Sequence, residues 1–458
     1  MLIPRPLTSL CHVLAPVSLV LLLAMNGCSD AGAPDPIRPA ASSGATAGAR
    51  TTAAAGTNST APPAGSAAAP PAGSAVAPGG SAQASAAGAG TAGAGVAGAG
   101  VAGADAAGVG PGGEVAGLGT FAGLVSTLSE PNGEFFSDNL ISNETSYLQV
   151  AAELAARPAG GVYLGVGPEQ NFTYIALARP SVAFVIDIRR DNLVHHLYYK
   201  ALFVEAESRA HFLALLLGRP WDAAGDPGAR ADVSAVIRHA EKMPADAATR
   251  DATLERARRR VEETWGVTLN AADRKAMEVM ARQLHERQLE LRFELHEKKG
   301  RRYPTLRELL EEDEPGGVKR GFLATEEAFR FVQRMQREHR VIPVVGDFAG
   351  DRAMPALAEL LKNKGMPVTT FYVSNVEQYL LEPKVWEKWR RNVAALPARE
   401  DAVLVRAYLD QGRKHPRQME GHRTATVLQR FSEFAARQEK KPYRSFWEVA
   451  TDGAAPAR

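Results

Sequence analysis

The sequence predicts an α/β fold: a doubly wound, mostly parallel sheet with a large helical insertion, behind a disordered N-terminal linker. Three observations lead there. Short apolar runs, VYLGVG (162–167), SVAFVIDI (181–188) and VIPVVGDF (341–348), alternate with helical spacings, which is the strand–helix–strand order of parallel sheets. Each run ends in glycine or an acid, the residue types expected where ligands meet strand carboxyl ends. The stretch between the two sets of strands, about 208–338, is charged and carries few strand signals.

The chain has 458 residues and a nearly balanced charge, 53 Lys and Arg against 51 Asp and Glu. A nucleic-acid protein would show a basic excess, so no nucleic-acid partner is expected. The first 28 residues hold an apolar stretch from Val13 to Met25, shorter than the ~20 residues a membrane span needs. Such a stretch with a small-residue exit reads as a signal peptide. The exit, Met25-Asn26-Gly27-Cys28, resembles a bacterial lipobox. That resemblance implies acylation of Cys28 and a lipid-anchored place in the cell envelope, at the outer membrane or the periplasmic face. Met25 and Asn26 depart from the usual pattern. An ordinary secretory signal is the competing reading.

Residues 29–120 hold 21 of the 42 glycines and none of the aromatics. A segment of that composition cannot bury enough apolar surface to offset its chain entropy, so it reads as a flexible spacer. Both cysteines, Cys11 and Cys28, precede it. The folding part, 121–458, therefore has no disulfide, thiolate metal site or cysteine nucleophile. No HExxH, GxSxG or GxxxxGK[ST] motif is present, and no metal site is expected.

Within the folding part, Tyr147, Leu148, Ala151 and Leu154 stand at helical spacing over 144–156, stopped by Gly160-Gly161. The first strand, 162–167, follows, then a helix over 168–178 with Pro168 at its start. The second strand, 181–188, carries one acid, Asp187, and leads into a helix over 191–207. The pattern resumes with a strand at 341–348, a helix over 354–365, and a strand running from 368 into the polar turn Ser374-Asn375-Val376-Glu377. A helix around Trp386 and Trp389 and a strand at 402–409 complete it. In the charged block, Asn270-Ala271-Ala272-Asp273 reads as a helix start. The block is expected to lie over one edge of the sheet, as a lid.

The chemistry is expected at Gly165-Val166-Gly167 and at Asp187, 20 residues beyond Gly167. Glycines after the first strand let a ligand approach the backbone, and an acid at the tip of the second accepts from ribose hydroxyls. A structural turn with a capping acid is the bland alternative. A dinucleotide fingerprint wants a third glycine, but Gln170 stands there beside Glu169, whose carboxylate would repel a pyrophosphate. S-adenosylmethionine carries an ammonium and a sulfonium instead, so it is the cofactor expected. Asp347 would then accept from the adenine amine and Phe348 would offer an apolar face. Asn375 would orient an acceptor, a small molecule or protein of unknown identity, and Glu377 would take its proton. Capping and solvation explain Asn375 and Glu377 equally simply. The cluster Asp138, Asn139, Asn143 and Glu144 precedes the first helix and is placed to close over a bound amino-acid tail, while helix capping explains Asn143 and Glu144 as simply. Arg189-Arg190 read as solvated, and the adjacent His195-His196 as unable to chelate jointly.

The order of these motifs resembles the class I S-adenosylmethionine-dependent methyltransferases, with their Rossmann-like sheet, over roughly 140–210 and 340–410. The segments SDNLISNETSYL, GGVYLGVGPEQNF, VIDIRRDNLVHHLYYKALF, VVGDFAG and FYVSNVEQYL resemble, more closely, bacterial proteins of unknown function with a methyltransferase-like sheet. The first resemblance implies a glycine turn at Gly165 and Gly167, a ribose acid at Asp187 and an adenine-side acid at Asp347. Leu164 stands where that family carries an acid, and the fourth strand lacks its Asp/Asn-Pro-Pro-aromatic turn. Export also takes the domain away from a cytosolic cofactor. The competing expectation is a non-catalytic lipoprotein that uses the same sheet as a binding module.

Overall fold

The computed structural model describes residues 113–115, 117–296 and 302–452. The expected signal sequence, Cys28 and nearly all of the expected linker lie outside the described residues. Six strands form one sheet: β1 (Val162–Gly165), β2 (Val182–Asp187), β3 (Val341–Val345), β4 (Val368–Ser374), β5 (Ala398–Leu409) and β6 (Thr424–Arg430). Their order is β3-β2-β1-β4-β5-β6. The first five run parallel, with Leu164 opposite Phe184 and Phe371, and β6 closes the edge antiparallel to β5. Strands β1, β2 and β3 are buried at every residue. That is why they read as continuous apolar runs rather than alternating ones.

Parallel neighbours need crossover connections, and the helices supply them on both faces. On one face Gln170–Ala178, Arg190–Glu205 and Glu326–Arg337 pack side by side. On the other, Ala353–Asn363, Pro383–Ala395 and Phe431–Lys440 form the matching row. The helix Arg190–Glu205 is buried from Asn192 through Phe203, on every side. The sheet covers one side of it and the helices Ala247–Arg259 and Ala271–Arg287 cover another. Phe203 ties these layers, with ring centroids 5.0 Å from Phe172, 4.3 Å from Phe212 and 5.6 Å from Phe329.

The charged block is thus a second helical layer on one face, and its last helix, Glu326–Arg337, is itself a crossover. This corrects the expected edge lid: the block is held by apolar burial at Met277, Met280 and Leu284, which leaves its charges on the far side. Asn270 does start a helix, with a reciprocal cap to Asp273. The helix expected over 144–156 is a 3-10 turn, Tyr147–Val150, continued by Ala151–Ala155. Strand β6 and the terminal helices Phe431–Lys440 and Phe446–Thr451 were not anticipated. The run Thr-Ala-Thr-Val-Leu-Gln-Arg has no long apolar stretch to announce a strand, and β6 is paired on one side only.

Candidate functional site

The carboxyl ends of β1, β2, β3 and β4 share one edge, and the order of strands reverses direction between β1 and β4. Ligands of open α/β sheets bind in the crevice at such a point. After β1 the chain turns through Gly165, Val166 and Gly167. A side chain at Gly165 would meet Asn171 Oδ1 at 1.9 Å and the Tyr163 hydroxyl at 2.9 Å. Those two groups hydrogen-bond each other, and Asn171 Nδ2 donates to the carbonyls of Val166, Gly167 and Pro168. The close approach that Gly165 permits is therefore used by the protein itself. Gly167 has φ +77°, and the nearest atom to a methyl placed there would be Asn139 Nδ2 at 3.8 Å. His196 Nε2 donates to the Gly167 carbonyl at 2.8 Å. Burial pushes His195 down to about 3 and His196 to about 4, so both are neutral rings at pH 7.

Asp187 ends β2 as expected, but its carboxylate is taken. Oδ1 accepts from the Arg189 backbone N–H and from Arg189 Nε, at 2.9 and 3.2 Å, and Oδ2 lies 3.3 Å from Nη2. Both side chains are at least nine-tenths buried. Arg189 Nη1 donates onward to the carbonyl of Asp138 at 2.7 Å. The guanidinium thus clamps the segment 137–139 across the space where a ribose would meet Asp187. Arg189 is not solvated, and neither is its neighbour free: Arg190 forms a two-pronged pair with Asp273 at 2.6 and 2.8 Å. Phe135 and Phe136 of the same segment stack at 4.1 Å and meet Tyr379, beyond β4, at 5.7 and 5.8 Å. This segment roofs the edge from β2 to β4.

Beneath that roof the β1–β4 crevice is filled by hydrogen-bonded side chains. Glu144, buried, accepts from Ser374 Oγ, and its Oε2 lies 2.9 Å from Gln170 Nε2. Gln170 Nε2 is also within 3.0 Å of the Tyr372 hydroxyl and 3.2 Å of that of Tyr174. Ser142 joins through Gln170 Oε1 and through its backbone N–H, which donates to Glu169 Oε1. Burial raises the pKa of Glu144, against the Ser374, Gln170 and Tyr372 hydrogen bonds, and pushes Glu169 up to about 7. Glu169 Oε2 is buried without a hydrogen-bond partner among the described residues, a setting that disfavours the charged form.

The expected catalytic pair is separated. Asn375 stands at the β4 terminus, half-buried, beside Ser374, which takes a left-handed φ of +53°. Glu377 is corrected: it is fully buried, bonded through both oxygens to Arg406 and at 3.0 Å to Trp389 Nε1. A carboxylate so enclosed is an ion-pair partner and takes no proton from an acceptor. Phe348 is corrected as well. It stacks on Trp389 at 5.3 Å and meets Phe371 at 4.9 Å in the core, so it offers no face to a base.

One open cavity lies on this edge, of about 350 Å³, at the ends of β2 and β3. Ile188 and Asp347 line it from the sheet, Glu130, Pro131 and Gly133 from the preceding segment, and Asp351 and Arg352 from the far side. Glu130 holds it in shape by accepting from the N–H groups of Asp347 and Ala353, at 2.5 and 3.1 Å. Asp347 Oδ1 accepts from Ala349 N–H, and its second oxygen has no hydrogen-bond partner among the described residues. The residues present therefore fit a planar base, with Ile188 and Pro131 as apolar walls and Asp347 as acceptor. They do not fit the whole of S-adenosylmethionine, because Arg189 occupies the ribose acid and the crevice for an amino-acid tail is filled. Among the described residues no group of three or more His, Cys, Asp or Glu is arranged to hold a metal.

The six strands, Glu144 and Asp347 all fall within residues 140–455, which match the family model for a domain of unknown function, DUF7790. The chain belongs to this family. No curated protein matches it. The DUF7790 span begins after the roofing segment, so Glu130, Pro131 and Gly133, which complete the cavity, come from outside it. Sequence reading missed these three because a Glu-Pro-Asn-Gly stretch reads as a loop, and only the fold shows which strand ends it borders.

Proposed function

We propose that this DUF7790 protein is a binding module that holds a small ligand with a planar, amine-bearing base at the ends of β2 and β3, tethered to the cell envelope through Cys28. The observation that carries the reading is the 350 Å³ cavity in which one Asp347 carboxylate oxygen has no hydrogen-bond partner among the described residues, between apolar walls. Pockets of about 300 Å³ and upward hold small ligands when a few polar groups converge on apolar surface. The burial of Glu377 in its ion pair with Arg406 favours binding over catalysis, since it takes away the base expected beside Asn375. Methyl transfer from S-adenosylmethionine is the second reading, favoured by the strand order and by the open side of Gly167. It requires Arg189 to leave Asp187 and the 137–139 segment to lift.

Calorimetric titration of the full chain with adenosine and with S-adenosylmethionine tests both. The binding-module reading expects similar affinities for the two, each falling about tenfold in Asp347→Asn, as loss of a charged acceptor implies. Tighter binding of S-adenosylmethionine alone, abolished in Asp187→Ala, selects the methyltransferase reading. Absence of binding by either compound at millimolar concentration removes both. Palmitate labelling that disappears in Cys28→Ala tests the tether separately.

A further inference from the structure

The opposite edge of the sheet carries a second cleft of about 350 Å³, lined by Pro158, Arg399, Glu400, Asp401 and Arg430. It lies at the amino ends of the parallel strands: Val162 pairs with Val368 and Val368 with Ala398, while Arg430 ends β6 opposite Val403. The guanidinium groups of Arg399 and Arg430 line it, and that of Arg157 lies behind, against Asp401. Arg399 takes Asp401 with two nitrogens and donates to the Pro158 carbonyl at 3.1 Å. Arg157, just behind Pro158, has Nη2 3.5 Å from the same carboxylate, at ion-pair distance but without a hydrogen bond. Its Nε and Nη2 are both buried and have no hydrogen-bond acceptor among the described residues. Arg430 is exposed at the mouth.

Asp401 is hydrogen-bonded to Arg399 and stands at ion-pair distance from Arg157. The other acids nearby are Glu400, exposed on the rim, and Glu153, one helical turn before Arg157. Burial lowers the pKa of Arg157, and the neighbouring Arg399 and Arg430 lower it further against the opposing pull of Asp401 and Glu153. Two buried nitrogens of Arg157 lack acceptors among the described residues, and buried N–H groups in that state are uncommon in folded proteins. Guanidinium forks match the tetrahedral oxyanion of a phosphoryl group, which accepts several charge-assisted hydrogen bonds at once.

We propose that the Arg157–Arg399–Arg430 cleft binds a phosphoryl group. The site is independent of the cavity at the carboxyl edge, and a phosphoryl group reaches it either on a soluble phosphate or on the headgroup of an anionic lipid. Titration of the full chain with inorganic phosphate, at constant ionic strength, reads the first source. Co-sedimentation with phosphatidylcholine/phosphatidylglycerol vesicles, against phosphatidylcholine alone, reads the second. The Cys28→Ala background keeps acylation out of both. Saturable phosphate binding is expected, weakened about tenfold in Arg430→Gln, which removes an exposed charge without disturbing the core. Asp401→Asn is expected to tighten it severalfold, because the competing carboxylate is gone. Vesicle binding that falls in Arg430→Gln assigns the headgroup source, and phosphate binding without it assigns the soluble one. If neither phosphate nor the anionic vesicles distinguish the parent from Arg430→Gln, the site does not exist.

Discussion

Two stations on the carboxyl edge of the sheet obey the same topological rule and end differently. Between β1 and β4 the crevice is occupied by Glu144, Gln170, Tyr174 and Tyr372, joined to one another and to Ser374. Between β2 and β3 the edge stays open, as a cavity that Ile188 and Asp347 line together with the 130–133 segment, Asp351 and Arg352. Strand order selects where a ligand site is geometrically available. Side-chain volume decides whether it is one. The filled station is closed by its own hydrogen bonds and the open one is not, so substitutions in the two should separate cleanly.

The largest effect is expected beneath the filled station, at Arg406→Ala. Glu377 and Arg406 are wholly buried, and removing one partner strands the other charge, at a cost of roughly 3–5 kcal/mol. Urea unfolding measures it, and a loss under about 1 kcal/mol would mean that water reaches the pair. Next comes Glu169→Gln. A carboxyl whose folded pKa is about 7 holds its proton in the fold while the unfolded chain has lost it above about 4.5. Stability therefore falls as pH rises through that window, by up to about 3 kcal/mol. The Gln variant should lose this slope and unfold later than the parent at pH 8. A parallel slope in both would show Glu169 to be ionised and hydrated.

Gly165→Ala follows. Its methyl would stand 1.9 Å from Asn171 Oδ1, and displacing that side chain from three carbonyls should cost about 1–3 kcal/mol. Unchanged thermal melting would show a looser turn than the one described. The smallest expected change in stability is at the open station. Asp347→Asn keeps the oxygen that caps Ala349 and should alter unfolding by less than about 0.5 kcal/mol, while weakening ligand binding. A large loss of stability there would make Asp347 a structural acid and erase the contrast between the stations.

Much of the fold was legible because fully buried parallel strands leave an unmistakable signature. VAFVID and VIPVV carry no polar residue before their carboxyl ends, and their neighbours had to be helices. The site was legible only as positions. Gly167, Asp187 and Asp347 do sit at strand ends, yet nothing local to Asp187 tells that Arg189 folds back on it. That pairing depends on the carbonyl of Asp138, some 50 residues earlier, which anchors the guanidinium. The burial of Glu377 was equally hidden, since its partner Arg406 stands in an apolar strand that reads as core. The arginine cleft went unread for the same reason: Arg157, Arg399 and Arg430 are remote in sequence and meet only when β1, β4, β5 and β6 join in one sheet.

The amino-acid sequence by itself determined the periodicities, and through them the layers: which segments are strands, which are helices, and that ligand-type residues gather at one edge. These follow from local rules, the burial of apolar side chains and the backbone freedom of glycine. Which of those residues remain free to touch anything else was decided only by the tertiary structure. Hydrogen bonds and charges are satisfied by whatever partner the fold brings within about 3 Å, and such partners need have no proximity along the chain.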